Sequence, residues 1–390
     1  MKHQRRVRKR RSQERRQLVA PVLLLFIFSF CVLDLYYVVT LKKEGKLAEI
    51  KPALQHQKEQ IREAIDNAIH HHRDGGHADV GADDDDDKGP IYEILEQAGI
   101  HRSSLDAATR QQLPTWTQVT KLYGDHPIIY GLERCESFTS SIDPSVSFFG
   151  IAGTFNSGTN LLAEILIQNC QITKRMEKFG TEQKGMRWQV PWGKHTPVEF
   201  RDAHVTTTDK DVPLENSFPM IAIRDPYRWL MSMCRHKYTV NWFHNKTACP
   251  NLYSEQLGKI NPVKVRYAAM RDSKPHLPAI YNDFYNSYLT AEFPRVLVRF
   301  EDLLFFGKNV TQTLCKCGGG DPRRSHFRHV SESAKLGTAA HGADKTSLLQ
   351  AIIRYGKGDD RTVGMTQKDL QLAKELFDPK LLEMFRYTHP

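Results

Sequence analysis

Residues 148–166 constrain the chain most. The wholly apolar Phe148-Phe-Gly-Ile-Ala152 runs into a glycine-bounded loop, Gly153-Thr-Phe-Asn-Ser-Gly158-Thr159, and then into the amphipathic Asn160-Leu-Leu-Ala-Glu-Ile-Leu166. A short apolar run of this kind reads as a buried strand, and the amphipathic stretch reads as a helix. Glycines let backbone amides approach a ligand closely, and the first turn of the helix offers unpaired N–H groups and the positive end of a dipole. The spacing therefore predicts an anion cradle, with an ordinary strand-to-helix turn as the alternative. A nucleotide kinase or hydrolase loop requires Gly-Lys-Ser/Thr, but Gly158 is followed by Thr159-Asn160, which argues against ATP-driven phosphoryl transfer. Further strand candidates lie at Ser147–Ala152, Pro219–Ile223 and Arg295–Phe300, and a helical pattern covers Ile91–Ala98. The segments between the strands are long enough for crossover helices. The expected fold class is therefore α/β, a three-layer α/β/α arrangement with a mostly parallel central sheet.

Charge decides what else the chain can be. The net charge is +10, but residues 1–16 hold nine Lys or Arg against Glu14, so they carry nearly all of it. A main domain this close to neutral argues against a nucleic-acid partner. After this basic tail (1–17), Leu18 to Leu41 forms a 24-residue apolar stretch whose only ionisable groups of consequence are Cys31 and Asp34. That is long enough to cross ~30 Å of hydrocarbon. It has no small-residue cleavage site, so it reads as an uncleaved signal anchor rather than a signal peptide. Positive charge before the span orients the tail to the cytosol and residues 42–390 to the lumen, a single-pass type II topology.

Residues 42–89 read as stem and linker. Leu47, Ile50, Leu54, Ile61, Ile65 and Ile69 recur at helical steps. This helical stem either pairs with a second copy as a homodimer or stands as a lone amphipathic helix, since Gln57 breaks a clean heptad seam. His70–His72 and Asp83–Asp87 fall in a stretch too polar to bury a core. It reads as a solvated linker, with an engineered tag or a metal-binding run as alternatives. The remaining residues, 90–390, suffice for one large domain. Six cysteines lie in it, Cys135, Cys170, Cys234, Cys249, Cys315 and Cys317, an even number in a compartment that permits disulfides. Cys234 and Cys249 bracket a short polar excursion and are the expected pair, whereas Cys315-Lys-Cys317 is too tight to close on itself. Neither spacing makes a zinc site. Asn245-Lys-Thr247 and Asn309-Val-Thr311 are glycosylation sequons.

Across Ser147–Asp302 the chain resembles the sulfotransferases that use 3'-phosphoadenylyl sulfate, and among them the membrane-bound Golgi-type members with a P-loop-like fold. Thr154-Phe-Asn-Ser-Gly-Thr-Asn160 is similar to their 5'-phosphosulfate loop. Met220-Ile-Ala-Ile-Arg-Asp-Pro-Tyr-Arg-Trp-Leu-Met-Ser232 is similar to their 3'-phosphate site, with Arg224 and Ser232 at the family's spacing. The resemblance thus implies Gly153, Thr154, Phe155, Asn156, Ser157, Gly158, Thr159, Asn160, Arg224 and Ser232 as donor-binding residues. Arg295-Val-Leu-Val-Arg-Phe-Glu-Asp302 looks like the family's strand ending in Phe-Glu-Asp and implies structural support. Gly193-Lys-His-Thr-Pro197 resembles, in altered order, the segment that carries a catalytic histidine.

The implied reaction moves a sulfuryl group from 3'-phosphoadenylyl sulfate to an acceptor hydroxyl or amine, without a metal. His195 is the candidate base and Lys194 the candidate cation, with Glu164, Asp209 and Glu182 as substitutes for the base. Asn156 departs from the family, which has Lys or Arg there, so the loop supplies no charge to the leaving oxygen. Ser333–Gly342 and Arg354-Tyr-Gly-Lys357-Gly358 read as the basic late loop over the donor, or as plain surface loops. A glycan is the expected acceptor, ahead of a protein tyrosine or a lipid-linked sugar. A type II Golgi glycosyltransferase using Asp209-Lys-Asp211 and a non-catalytic luminal nucleotide-binding protein are the competing readings.

Overall fold

Side-chain alternation along the strands explains why the sheet is covered on both faces. The computed structural model describes residues 87–203, 212–244, 249–267, 270–332, 346–358 and 360–390. In Ser217–Ile223, every residue of which is buried, Phe218, Met220 and Ala222 join one apolar cluster while Ile221 and Ile223 join another. Phe149 and Ile151 with Val296 and Val298 extend the first cluster; Ala152 and Leu297 extend the second. A period of two that fills both faces is what a strand inside an α/β sheet requires.

The central sheet has five strands: β1 (Ile129–Tyr130), β2 (Phe148–Ala152), β3 (Met186–Arg187), β4 (Ser217–Ile223) and β8 (Val296–Arg299), in the order β1-β8-β4-β2-β3. All pairings are parallel except that of the edge strand β1, which runs antiparallel to β8. The registers Ile151↔Met220 and Val296↔Met220 align the carboxyl ends of β2, β4 and β8 at one edge. A second, antiparallel sheet joins β5 (Val240–Asn241), β6 (Val263–Tyr267) and β7 (Met270–Lys274), with β6 in the middle.

The helices that matter for the site follow the strands. After α1 (Gly89–Gln97) and α2 (Trp116–Tyr123) come α3 (Thr159–Asn169) behind β2, α4 (Pro226–Arg235) behind β4, and α5 (Leu277–Thr290) before β8. Then come α6 (Phe300–Phe305), α7 (Gly307–Cys317), α8 (Leu348–Gly356) and α9 (Gln367–Leu376). Helix α4 starts where it does because Asp225 accepts from the Tyr227 and Arg228 amides, both at 3.0 Å, and Pro226 occupies the first turn. α1, α2, α6 and α8 share a third apolar cluster.

Three disulfides pair the six cysteines: Cys135–Cys317, Cys170–Cys315 and Cys234–Cys249. The last is the pair expected from sequence, and Cys315 and Cys317 bond elsewhere rather than to each other. The Phe300-Glu301-Asp302 segment is wholly buried support. Asp302 pairs with Arg299 at 2.6 Å, and Glu301 accepts from the Asp225 amide (3.1 Å) and the Tyr387 hydroxyl (2.9 Å). The segment Arg354–Gly358, expected as a loop, is for the most part the end of helix α8, whose Leu348, Ala351, Ile352 and Tyr355 are buried. Among the described residues no helix is long and apolar enough to cross a membrane. The tail, the 18–41 span, the stem, the His/Asp linker up to residue 86, Asp209-Lys-Asp211, the Asn245 sequon and residues 333–345 lie outside the described residues. Asn309, of the other sequon, is exposed on α7.

Candidate functional site

The loop between β2 and α3 is shaped by its two glycines. A Cβ at Gly153 would collide with Ser157 Oγ and lie 2.8 Å from the Ala222 carbonyl oxygen. Gly158 has φ +94°, and a Cβ there would run into the Phe300 ring. Both positions therefore exclude side chains, and the loop closes down on the carboxyl ends of β4 and β8. Neighbours hold its interior: Thr154 Oγ1 meets the Tyr285 hydroxyl at 3.0 Å, Ser157 Oγ donates to Thr154 O at 2.8 Å, and Trp229 Nε1 donates to Phe155 O at 2.7 Å.

Asn156 stands in left-handed backbone at φ 61°, a conformation Asn tolerates better than most residues. Its side-chain amide faces α4, donating to His236 O at 2.7 Å and Ser232 O at 3.3 Å. Asn156 therefore serves as a brace between the loop and the end of α4. Arg224 completes the brace by donating from Nη1 to Asn156 O at 2.7 Å.

A cavity of about 1100 Å³ opens at this edge. Of the residues singled out from sequence, Asn156, Gly158, Thr159, Asn160, Lys194, His195, Arg224 and Ser232 line it. Gly153, Thr154, Phe155 and Ser157 do not; they form the buried side of the loop and set its shape. Sequence reasoning missed Trp188, Arg235 and Tyr238, which line the same space, while Arg354, Tyr355 and Lys357 reach it from a stretch read only as basic and glycine-rich. Trp188 and Tyr238 carry no motif. Arg235 lay three residues beyond Ser232, a spacing that puts both on one helix face.

Arg224 is 7 % exposed, and its guanidinium lies 4.8 Å from the centre of the Tyr355 ring and 5.1 Å from that of Phe300. Burial lowers it to about 9, with Glu301 opposing and the positive charges of Arg235 and Arg228 adding to the drop. It stays protonated at neutral pH. Its buried Nε has no hydrogen-bond partner among the described residues. A cation held in place with a donor unsatisfied suits an arriving anion.

Lys194 and His195 come from the loop after β3, tied to the glycine loop by Gly153 N donating to Lys194 O at 3.0 Å. Lys194 Nζ sits 3.8 Å over the Trp188 ring and donates to Asn160 Oδ1 at 3.2 Å. Burial lowers it to about 7. The His195 Nδ1 lies 2.7 Å from Gly153 O, and since a carbonyl only accepts, Nδ1 carries the proton and Nε2 the lone pair. Burial pushes the imidazole down to about 4; Lys194 adds to this and the Gly153 contact opposes it. His195 is neutral above that range. Its ring lies 4.7 Å from Phe155, which stacks on Tyr238 at 5.7 Å.

Two of the three substitute carboxylates lie elsewhere. Glu164 on α3 accepts from Gln168 at 2.7 Å, Glu182 belongs to a separate small cleft, and neither lines the cavity. Asp209 lies outside the described residues. A glycine-bounded strand-to-helix loop, a buried arginine at the next strand end, a lysine that burial lowers toward neutrality and a neutral histidine thus share one cavity at the carboxyl edge of a mostly parallel sheet, where α/β folds hold ligands. Comparison with protein-family models, with curated proteins and with solved structures finds no match to this chain.

Proposed function

We propose that the chain is a sulfotransferase of the three-layer, P-loop-like kind, moving a sulfuryl group from 3'-phosphoadenylyl sulfate to a hydroxyl or amine of a luminal acceptor. We place it as a type II protein of the Golgi membrane with a glycan as acceptor. The observation that carries this reading is the convergence of Gly158, Thr159, Arg224, Lys194 and His195 on one cavity. The site suits the donor: the close loop admits no Cβ at Gly158, and the orphaned Arg224 Nε calls for an anionic acceptor of its hydrogen bond.

The amides at the start of α3 would hold the 5'-phosphosulfate, and Arg224 with the Ser232 end of α4 would hold the 3'-phosphate. The donor supplies the activated sulfuryl group. His195, with Nδ1 fixed on Gly153 O, takes the acceptor's proton at Nε2. Lys194, 7 % exposed, provides the cation that Asn156 does not, stabilising charge on the leaving oxygen. A non-catalytic nucleotide-binding role is the second reading, favoured by the commitment of the Asn156 amide to His236 O.

Calorimetry on the full-length chain in detergent, with adenosine 3',5'-bisphosphate, ATP and UDP, tests the first reading. The expected result is metal-independent micromolar binding of the bisphosphate alone, lost in Arg224→Ala. Binding of UDP only with Mn²⁺ would instead favour a glycosyltransferase. Bisphosphate binding with no turnover of 3'-phosphoadenylyl sulfate on any glycan, tyrosine or lipid-linked acceptor would leave the second reading.

A further inference from the structure

The outer face of the β5–β6–β7 sheet carries positive charge that the fold leaves unanswered. Alternation along β6 buries Val263, Val265 and Tyr267 and turns Lys264 and Arg266 outward. The register sets Arg266 directly opposite Arg271 on β7, and Lys264 opposite Ser273 on β7 and Asn241 on β5, so these exposed side chains share one face. Lys264, Arg266 and Arg271 are cations, and no carboxylate of the three strands stands beside them. The one acid of these strands, Asp272, lies on the other face with Val265 and pairs with Lys274 at 2.9 Å. Among the described residues, none of Lys264, Arg266 and Arg271 has an ion-pair partner. Like charges directly opposite on a sheet oppose its pairing. Two arginines face to face beside a lysine thus weaken the sheet and suit it to meet an anion.

This face starts at the cavity. Thr239 holds Arg266 at both backbone groups, its Oγ1 donating to Arg266 O at 2.7 Å and its carbonyl accepting from Arg266 N at 3.3 Å. Tyr238, the residue before it, lines the cavity with its ring 6.4 Å from that of His195. The charged face therefore adjoins the wall beside the residue that would take the acceptor's proton.

We propose that the acceptor is an acidic glycan, a linear chain bearing uronate carboxylates, and that Lys264, Arg266 and Arg271 hold those carboxylates while the reacting sugar lies at His195. This rests on the sulfotransferase reading above. A guanidinium fork pairs with a carboxylate through two parallel hydrogen bonds, and the neighbouring lysine adds a point charge. The charge has to be on the acceptor before sulfuryl transfer begins, so carboxylates are the groups read. The reaction that supplies the acceptor is accordingly one that installs uronate, by uronosyl transfer or by oxidation of a primary sugar alcohol.

The test is calorimetry on the full-length chain in detergent, titrated with a hexasaccharide of alternating glucuronate and N-acetylglucosamine and with its carboxyl-reduced, neutral form. The uronate form is expected to bind roughly threefold to a hundredfold more tightly, the scale of three exposed ion pairs, and the margin should shrink with added salt. Combining Lys264→Gln, Arg266→Gln and Arg271→Gln should erase that margin and leave adenosine 3',5'-bisphosphate affinity within about twofold. It should also hold or raise the melting temperature, because an opposed like-charge pair is removed, whereas a structural role would lower it. Hydrogen exchange should show the hexasaccharide protecting residues 263–274, a readout to which the basic tail does not contribute. Equal affinity for the two hexasaccharides, a margin that survives the triple variant, or protection of 263–274 by polyglutamate alone would overturn the proposal and leave the donor site standing. No bisphosphate binding by the wild-type chain would remove the sulfotransferase reading, and the acceptor role with it, even where the uronate preference held.

Discussion

At the scale of single residues, Lys194 lines the cavity and its charge is open to change near neutral pH. Burial holds it at about 7 in the free protein, and a bound phosphate favours its charged form. Bisphosphate affinity is therefore expected to fall as pH rises from about 7 to 9, and Lys194→Arg, charged throughout, should flatten the profile. Calorimetric titration at a series of pH values checks this. For His195 the sign concerns stability. Its folded value of about 4 lies below the ordinary 6.5, so the unfolded chain binds the proton more readily between the two. The stability it protects is complete above about 6.5 and drains away as pH falls toward 4. His195→Asn, which keeps a donor for Gly153 O, should weaken that acid dependence in chemical denaturation at pH 7 against pH 5. The residues visible in the sequence were those whose role follows from contiguous chemistry: glycines flanking a loop, an arginine at a strand end. Trp188 and Tyr238 were not visible, because they carry no motif and only packing brings them to the cavity, while Arg235 was marked by nothing but its helical spacing from Ser232.

At the scale of elements, strands were the most legible. Pro219–Ile223 lies within β4, and Arg295–Phe300 encloses β8, because uninterrupted apolar runs have no other place than a doubly covered sheet. The hairpin β6–β7 was missed, since Lys264, Arg266 and Arg271 give it a polar face. Helix α8 was missed because Arg354 and Gly356 give its end a loop-like composition, although Leu348, Ala351, Ile352 and Tyr355 form a buried apolar stripe at helical spacing. Two elements carry predictions. Gly158→Ala forces a side chain into the Phe300 ring at a left-handed position, and a loss of about 1–3 kcal/mol in urea denaturation is expected. Phe300→Leu in that background should restore part of it. The Arg299–Asp302 pair between β8 and α6 is fully buried, with Arg299 Nη2 also donating to Tyr123 O at 2.7 Å. Asp302→Ala strands that charge and should cost about 3–5 kcal/mol by the same measurement.

At the scale of the whole molecule, the order β1-β8-β4-β2-β3 could not be read in advance, because strand neighbours depend on crossovers rather than on local pattern. Nor could the two long-range disulfides, whose partners are 182 and 145 residues apart. The local pair Cys234–Cys249 could. Removing Cys135–Cys317 by a double serine substitution should cost about 2–5 kcal/mol in thermal or chemical denaturation. For topology, protease treatment of intact microsomes is expected to clip the basic tail and spare residues 90–390; digestion of that domain would reverse the orientation.

The C-x-C end of α7 has a consequence for how the protein is made. Cys135 and Cys170 leave the ribosome long before either partner exists, and at ordinary translation rates the wait is on the order of ten seconds or more. Throughout that interval they are each other's nearest available thiols, while Cys234 and Cys249, only 15 residues apart, can close at once. Correct pairing therefore depends on keeping two early thiols apart until Cys315 and Cys317 emerge together, and a truncation just short of residue 315 would leave a chain able to form its small loop and neither of its long ones.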